Sequence, residues 1–233
     1  IAPQQAEPGV VTEFTYYLKP EDTSGFDRLA VESAAPVHFM SITRNGVELD
    51  VLMDTIPKGF FVDLPNRIRT DQLIELKFES SVFRQSTRFD VFLQDRNQGD
   101  SVRQRVDPGD ASDQIESNTN IVSLPVNRNL FANIALSSPV LTPNGDGIND
   151  EIQLSVDLVN VLEPRPLRLR LYDLAGRAVY NRSEDVRAGQ RQFNWDGNDD
   201  GGNRVAPGIY ILEILVEGDA ANERVQEIIS VVY

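Results

Sequence analysis

Apolar side chains recur at every second position along most of the chain. In "EIQLSVDLV", Ile152, Leu154, Val156 and Leu158 alternate with Glu151, Gln153, Ser155 and Asp157. Such alternation marks a strand with one face on a core and the other in water. Leu167, Leu169 and Leu171 repeat it against Arg168 and Arg170, and "GIYILEILVEG" sets Tyr210, Leu212, Ile214 and Val216 on one side. The first half follows the same rule with Phe14, Tyr16 and Leu18, with Ile74, Leu76 and Phe78, and with Phe89, Val91 and Leu93. Between "HFMSITR" and "VELDVL", Asn45-Gly46 predicts a type I′ hairpin, because both central residues of that turn need positive φ. No window sustains helical spacing. Short strands broken by Gly, Pro, Asn and Asp about every ten residues predict an all-β protein of two antiparallel β-sandwich domains.

The turn-rich "LSSPVLTPNGDG" (136–147) is the expected boundary. The expected organisation is an N-terminal extension over residues 1–10, a sandwich over 11–136 with immunoglobulin-like or jelly-roll topology, and a second sandwich over 137–233. The last is close in size to a minimal immunoglobulin-like domain. Within the first, "RNQGDSVRQRVDPGDASDQIESNTN" (96–120) is polar and aperiodic. So long a loop is expected to be either a partner contact or a mobile excursion.

Composition narrows the function classes. Lys and Arg number 22 against 36 Asp and Glu, a formal net charge of −14. Such a balance disfavours nucleic acid, whose phosphates are held by basic side chains, and equally anionic lipid surfaces. There is no cysteine, hence no disulfide, thiolate nucleophile or zinc–thiolate site. No apolar run reaches the ~20 residues of a membrane-spanning helix. The opening "IAPQQAEPG" reads as a processed N-terminus, consistent with a signal peptide already removed.

Two loops carry calcium-like spacing. Calcium takes six to eight oxygen ligands from carboxylates, amides and carbonyls on a flexible loop. In "LTPNGDGINDE" (141–151), Asn144, Asp146, the Ile148 carbonyl and Asp150 fall at the third, fifth, seventh and ninth positions of an EF-hand-like loop. Thr142 and Gln153 stand at the first and twelfth, so the bidentate glutamate is missing. In "DGNDDGG", Asp196, Asn198 and Asp200 fit the first, third and fifth positions, and Pro207 stands at the twelfth. The simpler reading is preferred at both: Asp and Asn side chains accept from backbone amides two residues on and build turns without a metal. Calcium, if bound, would be structural, and no other cofactor is indicated.

The second half also resembles a known family. "YDLAGRAVY" (172–180), "AGQ" (188–190), "WDGNDDGGNRVAPGIY" (195–210) and a closing strand are similar, in order and spacing, to the immunoglobulin-like domain of flagellar hook-capping (FlgD-like) proteins. "LTPNGDGINDE" resembles the opening motif of the related gliding-motility C-terminal domains, some of which act as type IX secretion signals. The resemblance spans roughly residues 137–233 and implies an immunoglobulin-like fold and an exported bacterial protein. Type IX sorting domains usually carry an Asn-Arg-Trp-Gly-like turn where this chain has "DLAGR", and often end on a basic residue where it has "EIISVVY". Those departures count against export by that route and leave the fold expectation intact. The first half shows no such resemblance.

Catalytic chemistry is sparse. The single histidine, His38, lies in "VHFMSI", where alternation puts it on a face with Met40 and Ile42 as a packed residue. No Gly-x-Ser-x-Gly elbow or phosphate-binding glycine loop accompanies it. A carboxylate-only glycosidase would need a pair of acids that nothing singles out. "NRS" (181–183) matches the glycosylation sequon by chance in a chain that reads as bacterial. The leading expectation is therefore a non-catalytic, extracytoplasmic protein that makes protein–protein contacts in a bacterial envelope or surface assembly. The alternatives are a glycan-binding module using Tyr16, Tyr17, Phe60 or Phe61, of which alternation turns one of each pair outward, and a secreted protein whose last domain is a sorting or anchoring tag.

Overall fold

The computed structural model describes residues 1–21, 25–69, 71–98, 102–113, 115–126, 129–218 and 222–233. It divides into two compact units, Ile1–Val126 and Asn127–Tyr233. Both are built from antiparallel sheets, and the fold class is all-β.

In unit 1 one sheet runs β1 (Val11–Leu18), β7 (Ile74–Ser81), β3 (Val37–Arg44), β4 (Val47–Glu48). The other runs β10 (Ile121–Ser123), β8 (Ser86–Gln94), β2 (Phe26–Ser33), β6 (Gly59–Ile68), β5 (Leu52–Ile56), with β9 (Arg103–Arg105) beside β8. β1, β2 and β3 alternate between the sheets, whereas the first two strands of an immunoglobulin domain pair with each other. The alternating positions meet in the core. Phe14, Phe78 and Phe89 are fully buried, with ring centroids 5.2 to 6.0 Å apart. Phe60 reaches Phe78 edge-on at 6.4 Å. Asn45 and Gly46 take φ of 50° and 78° between β3 and β4, the predicted hairpin conformation.

Three expectations need correction here, and the polar stretch 96–120, expected to be a partner contact or a mobile excursion, carries two short elements. Residues 1–10 are packed onto the sandwich rather than extending from it. Ile1 and Ala6 are buried, and Ala2 and Gln5 form bridges with Thr15 and Ser123. The domain boundary lies earlier than 136, because Phe131–Leu136 forms a strand of unit 2 whose apolar side chains join that core. The stretch 96–120 carries a 3-10 turn at Arg96–Gln98 and strand β9, pinned where Arg103 lies over Phe92 and pairs with Glu32; residues 99–101 and 114 lie outside the described residues. Finally, His38 is exposed, as is Met40, while Ile42 is buried. A register shift between Phe39 and Ser41 breaks the alternation on which their common face depended.

Unit 2 is a three-stranded sheet, β11 (Phe131–Leu136), β13 (Ile152–Leu158), β16 (Gly189–Trp195), facing a five-stranded one. The second runs β12 (Val140–Leu141), β18 (Asn222–Val231), β17 (Gly208–Glu217), β14 (Arg165–Asp173), β15 (Ala178–Val186). Lettered in chain order as A, A′, B, C, C′, E, F and G, the sheets are A-B-E and A′-G-F-C-C′. This is the immunoglobulin arrangement without strand D. β12 runs parallel to β18, the one parallel pairing among the named strands. The predicted inward residues of β13, β14 and β17 are all buried and share one core with Phe193 and Trp195.

Candidate functional site

Strand register gathers the sequence motifs at one end of unit 2. Ile152 at the start of β13 pairs with Trp195 at the end of β16. Asp173 at the end of β14 pairs with Tyr210 near the start of β17, and Gly208 pairs with Val231 near the chain end. The loops 142–150, 173–177 and 196–207 therefore emerge side by side, with Tyr233 among them.

Each loop is tied by its own side chains. In the first, Asn144 Oδ1 accepts from the Asp146 amide at 2.9 Å, and Asp146 Oδ1 accepts from the Ile148 amide at 2.8 Å. The two Asp150 oxygens accept from the Gly145 and Gly147 amides, both at 2.7 Å. The Ile148 carbonyl accepts from Thr142 Oγ1 at 2.8 Å. In the second, Asp196 Oδ1 accepts from the Asn198 amide at 3.1 Å, and Asp200 Oδ1 reaches the Asn181 amide at 2.9 Å. Asp199 spans the Gly201 and Asn203 amides at 2.8 and 2.9 Å. In "DLAGR", Asp173 Oδ1 accepts from the Ala175 and Arg177 amides at 3.0 and 2.9 Å. Asn144, Asp146 and Asp196 thus form Asx turns, and Asp150 and Asp200 accept from backbone amides elsewhere in the chain. Among the described residues no group of three or more His, Asp or Glu is placed to hold a metal ion.

The amides of Gly145 and then Gly147 hold the Asp150 carboxyl below its ordinary range, because they bond only to the ionised form strongly. A folded-state value below the unfolded one contributes stability that is fully present above the ordinary carboxylate range. The contribution is lost as pH falls through the lowered value. Asp150→Ala should therefore lower the melting temperature at neutral pH and converge with wild type in acid. A constant gap across the acid limb of a thermal-denaturation series would contradict this linkage.

Contacts that spacing could not reveal hold these loops. The Trp195 indole N–H donates to the Asn198 carbonyl at 2.9 Å, so a core aromatic reaches out to hold the second loop. Gly197, with φ +83°, sits where a Cβ would come within 2.8 Å of Leu141 Cδ2 at the edge of the first loop. Arg204 donates to the Pro143 carbonyl and lies over the Tyr233 ring at 5.7 Å. Tyr233 Oη in turn donates to the Val205 carbonyl at 2.7 Å. The only hint of Arg204 in the sequence is a single cation set in an otherwise acidic, glycine-rich stretch.

The aromatic candidates of unit 1 divide as alternation required: Tyr16 and Phe60 are buried, Tyr17 and Phe61 half-buried. One face of Phe61 is covered by the Arg28 guanidinium at 4.0 Å, itself bound to Asp63. Tyr17 lines a polar groove of about 640 Å³ with Lys19, Arg105 and Asp107.

Residues 134–231 match the family model described as CHU_C, Type IX secretion signal domain. This defines the class: an exported bacterial protein with a C-terminal sorting domain, and an extracytoplasmic location. The expectation against the type IX route, drawn from "DLAGR" and the chain end, is corrected by this match. The Asp173 turn closes on the backbone amides of Ala175 and Arg177.

Among solved structures the chain is similar to FlgD from P. aeruginosa, at 27% identity over 35% of this chain and 62% of that one, with a TM-score of 0.29. It is also similar to dimeric latent PorU from Porphyromonas gingivalis, at 10% identity over 98% of this chain and 18% of that one, with a TM-score of 0.37. PorZ, a surface component of the type IX secretion system of the same organism, shares 14% identity over 62% of this chain and 15% of its own, with a TM-score of 0.29. The chain thus spans less than two thirds of each of these proteins, and with such low TM-scores no functional step rests on them. No curated protein matches the chain. Among the described residues no helix is long and apolar enough to cross a membrane.

Proposed function

We propose that the protein is a non-catalytic accessory or structural subunit that makes protein–protein contacts in a bacterial envelope or surface assembly, delivered there by its C-terminal unit. The observation that carries this reading is the coincidence of the matched segment, 134–231, with an independently compact sandwich. Unit 1 is then the cargo that acts at the destination. Its single histidine stands exposed on β3, and support for a contact role comes from its edge strands. β5 pairs only with β6 and exposes Leu52 and Met53, and strand edges of this kind accept partners by β-augmentation.

Export and contact separate in one experiment. The full chain and a form ending at Val126 are expressed in a bacterium with a type IX pathway, then followed by cell fractionation and crosslinking. The full chain should reach the cell surface and crosslink to a stoichiometric envelope partner, and the truncated form should stay inside the outer membrane. Surface delivery of the truncated form would defeat the sorting role. A full-length protein at the surface that crosslinks to nothing would defeat the accessory role.

A further inference from the structure

Unit 1 carries a cationic groove that its sequence does not advertise. In a chain of net charge −14, most described lysines and arginines are tied to carboxylates. Lys58, Arg84 and Arg88 are different: among the described residues none of them pairs with an acid, and all three line one open groove of about 770 Å³. His38 lines it as well, exposed on β3.

The scaffold beneath these cations is hydrogen-bonded across three strands. β2 lies between β6 and β8, and Glu32 near its end is registered opposite Gly59 on one side and Asp90 on the other. The next residue, Ser33, donates its amide to the Lys58 carbonyl at 2.9 Å and its hydroxyl to the Arg88 carbonyl at 2.9 Å. Lys58 and Arg88 are thus clamped on either side of one strand end, and Arg84 comes from the β7–β8 connection. Of the two acids of the groove, one is paired with a cation and the other is held by a neutral amide. Glu32 pairs with Arg103, and Asp90 accepts from Asn120 Nδ2 at 3.3 Å. Three cations against one uncompensated carboxylate, Asp90, leave the groove net positive in a cleft sized for a small ligand.

We infer that this groove binds a compact polyanionic small molecule, whose carboxylate, sulfate or phosphate groups meet Lys58, Arg84 and Arg88. Charge complementarity selects the anion. The groove volume of about 770 Å³ suits a small ligand rather than a long acidic chain. β2 and β8 are interior strands whose backbone groups are taken up within their sheet, so along them recognition falls to side chains and to the exposed Ser86 hydroxyl. The inference goes beyond the contact role proposed above and does not depend on it.

Isothermal titration of the full chain tests it, with oligogalacturonate as the carboxylate probe and a heparin oligosaccharide as the sulfate probe. Inositol hexakisphosphate serves as the phosphate probe, with a neutral dextran oligosaccharide and poly-glutamate beside them. Wild type should bind at least one anionic probe and not dextran, with affinity falling as salt rises. The probe preferred identifies the source of the charge. Arg84→Ala combined with Arg88→Ala should weaken binding about tenfold or more, as expected for loss of charge-assisted hydrogen bonds. Arg44→Ala combined with Arg69→Ala removes the same charge elsewhere and should leave binding unchanged. The inference is overturned if wild type binds none of the small anionic probes, if both double variants lose equally, or if poly-glutamate binds as tightly as the small anions. The wild-type arm decides the matter even if a variant fails to fold.

Discussion

Gly59→Ala is expected to destabilise unit 1 by about 3 kcal/mol or more, beyond the usual range for overpacking, and to show as a lost or sharply lowered unfolding transition in urea. Gly59 begins β6 directly opposite Glu32, and a Cβ built there would stand 1.8 Å from the Val31 carbonyl oxygen and 2.9 Å from its carbon. Those are backbone atoms of an interior strand, held on its far side by β8, so no flexible side chain can swing away to make room. The hairpin would have to lift off β2 and carry Phe60 out of the core, where it is 1% exposed. Gly46→Ala is the control. Its neighbourhood is empty, and only its φ of +78° resists a side chain. A cost of about 1 kcal/mol is expected there. Equal and small effects at both glycines would show that β6 does not approach β2 this closely in solution.

Trp195→Ala should cost unit 2 about 3–5 kcal/mol, the range for removing a large buried aromatic. The ring is 6% exposed, lies edge-on to Tyr210 at 6.1 Å and packs on Tyr180 at 6.4 Å. Its removal leaves the Asn198 carbonyl without the indole donor, so the 196–207 loop should become the preferred cleavage site in limited proteolysis. Trp195→Phe separates the two effects. Much of the ring packing survives and the donor does not, so loop protection should fall while most of the stability remains. Unfolding of the wild type can be followed from this residue alone. Trp195 is the single tryptophan, and its fluorescence reports unit 2. If the alanine variant keeps both its stability and its resistance to cleavage, the indole is not what ties the loop to the core.

The strands most legible in the sequence are those with one wet face. β1, β7, β13, β14 and β17 alternate cleanly, and their predicted inward residues are buried. β2 was not legible for the opposite reason. It is interior and heavily buried over Phe26–Ser33, including Asp27 at 9% exposure, so its sequence does not alternate. His38 was misplaced because a register shift two residues further on moved it to a different face from Ile42. At the candidate site, the turn residues were visible as Asp, Asn and Gly at characteristic spacing. Their mutual positions were not, because they depend on pairing between strands more than forty residues apart, such as Ile152 with Trp195.

The sequence by itself determined what short-range chemistry controls: an all-β chain, a type I′ hairpin at Asn45-Gly46, the Asx turns of 142–150 and 196–204, and a motif order shared with a family of exported domains. Only the tertiary structure decided what depends on register and close approach. It placed the first ten residues on unit 1 and Phe131–Leu136 in unit 2. It also brought Arg204 to Pro143 and Tyr233, and set Lys58, Arg84 and Arg88 around one groove. Lys58 lies far along the chain from Arg84 and Arg88. They share a site because β2 lies between β6 and β8, and no local pattern of residues encodes which strands become neighbours.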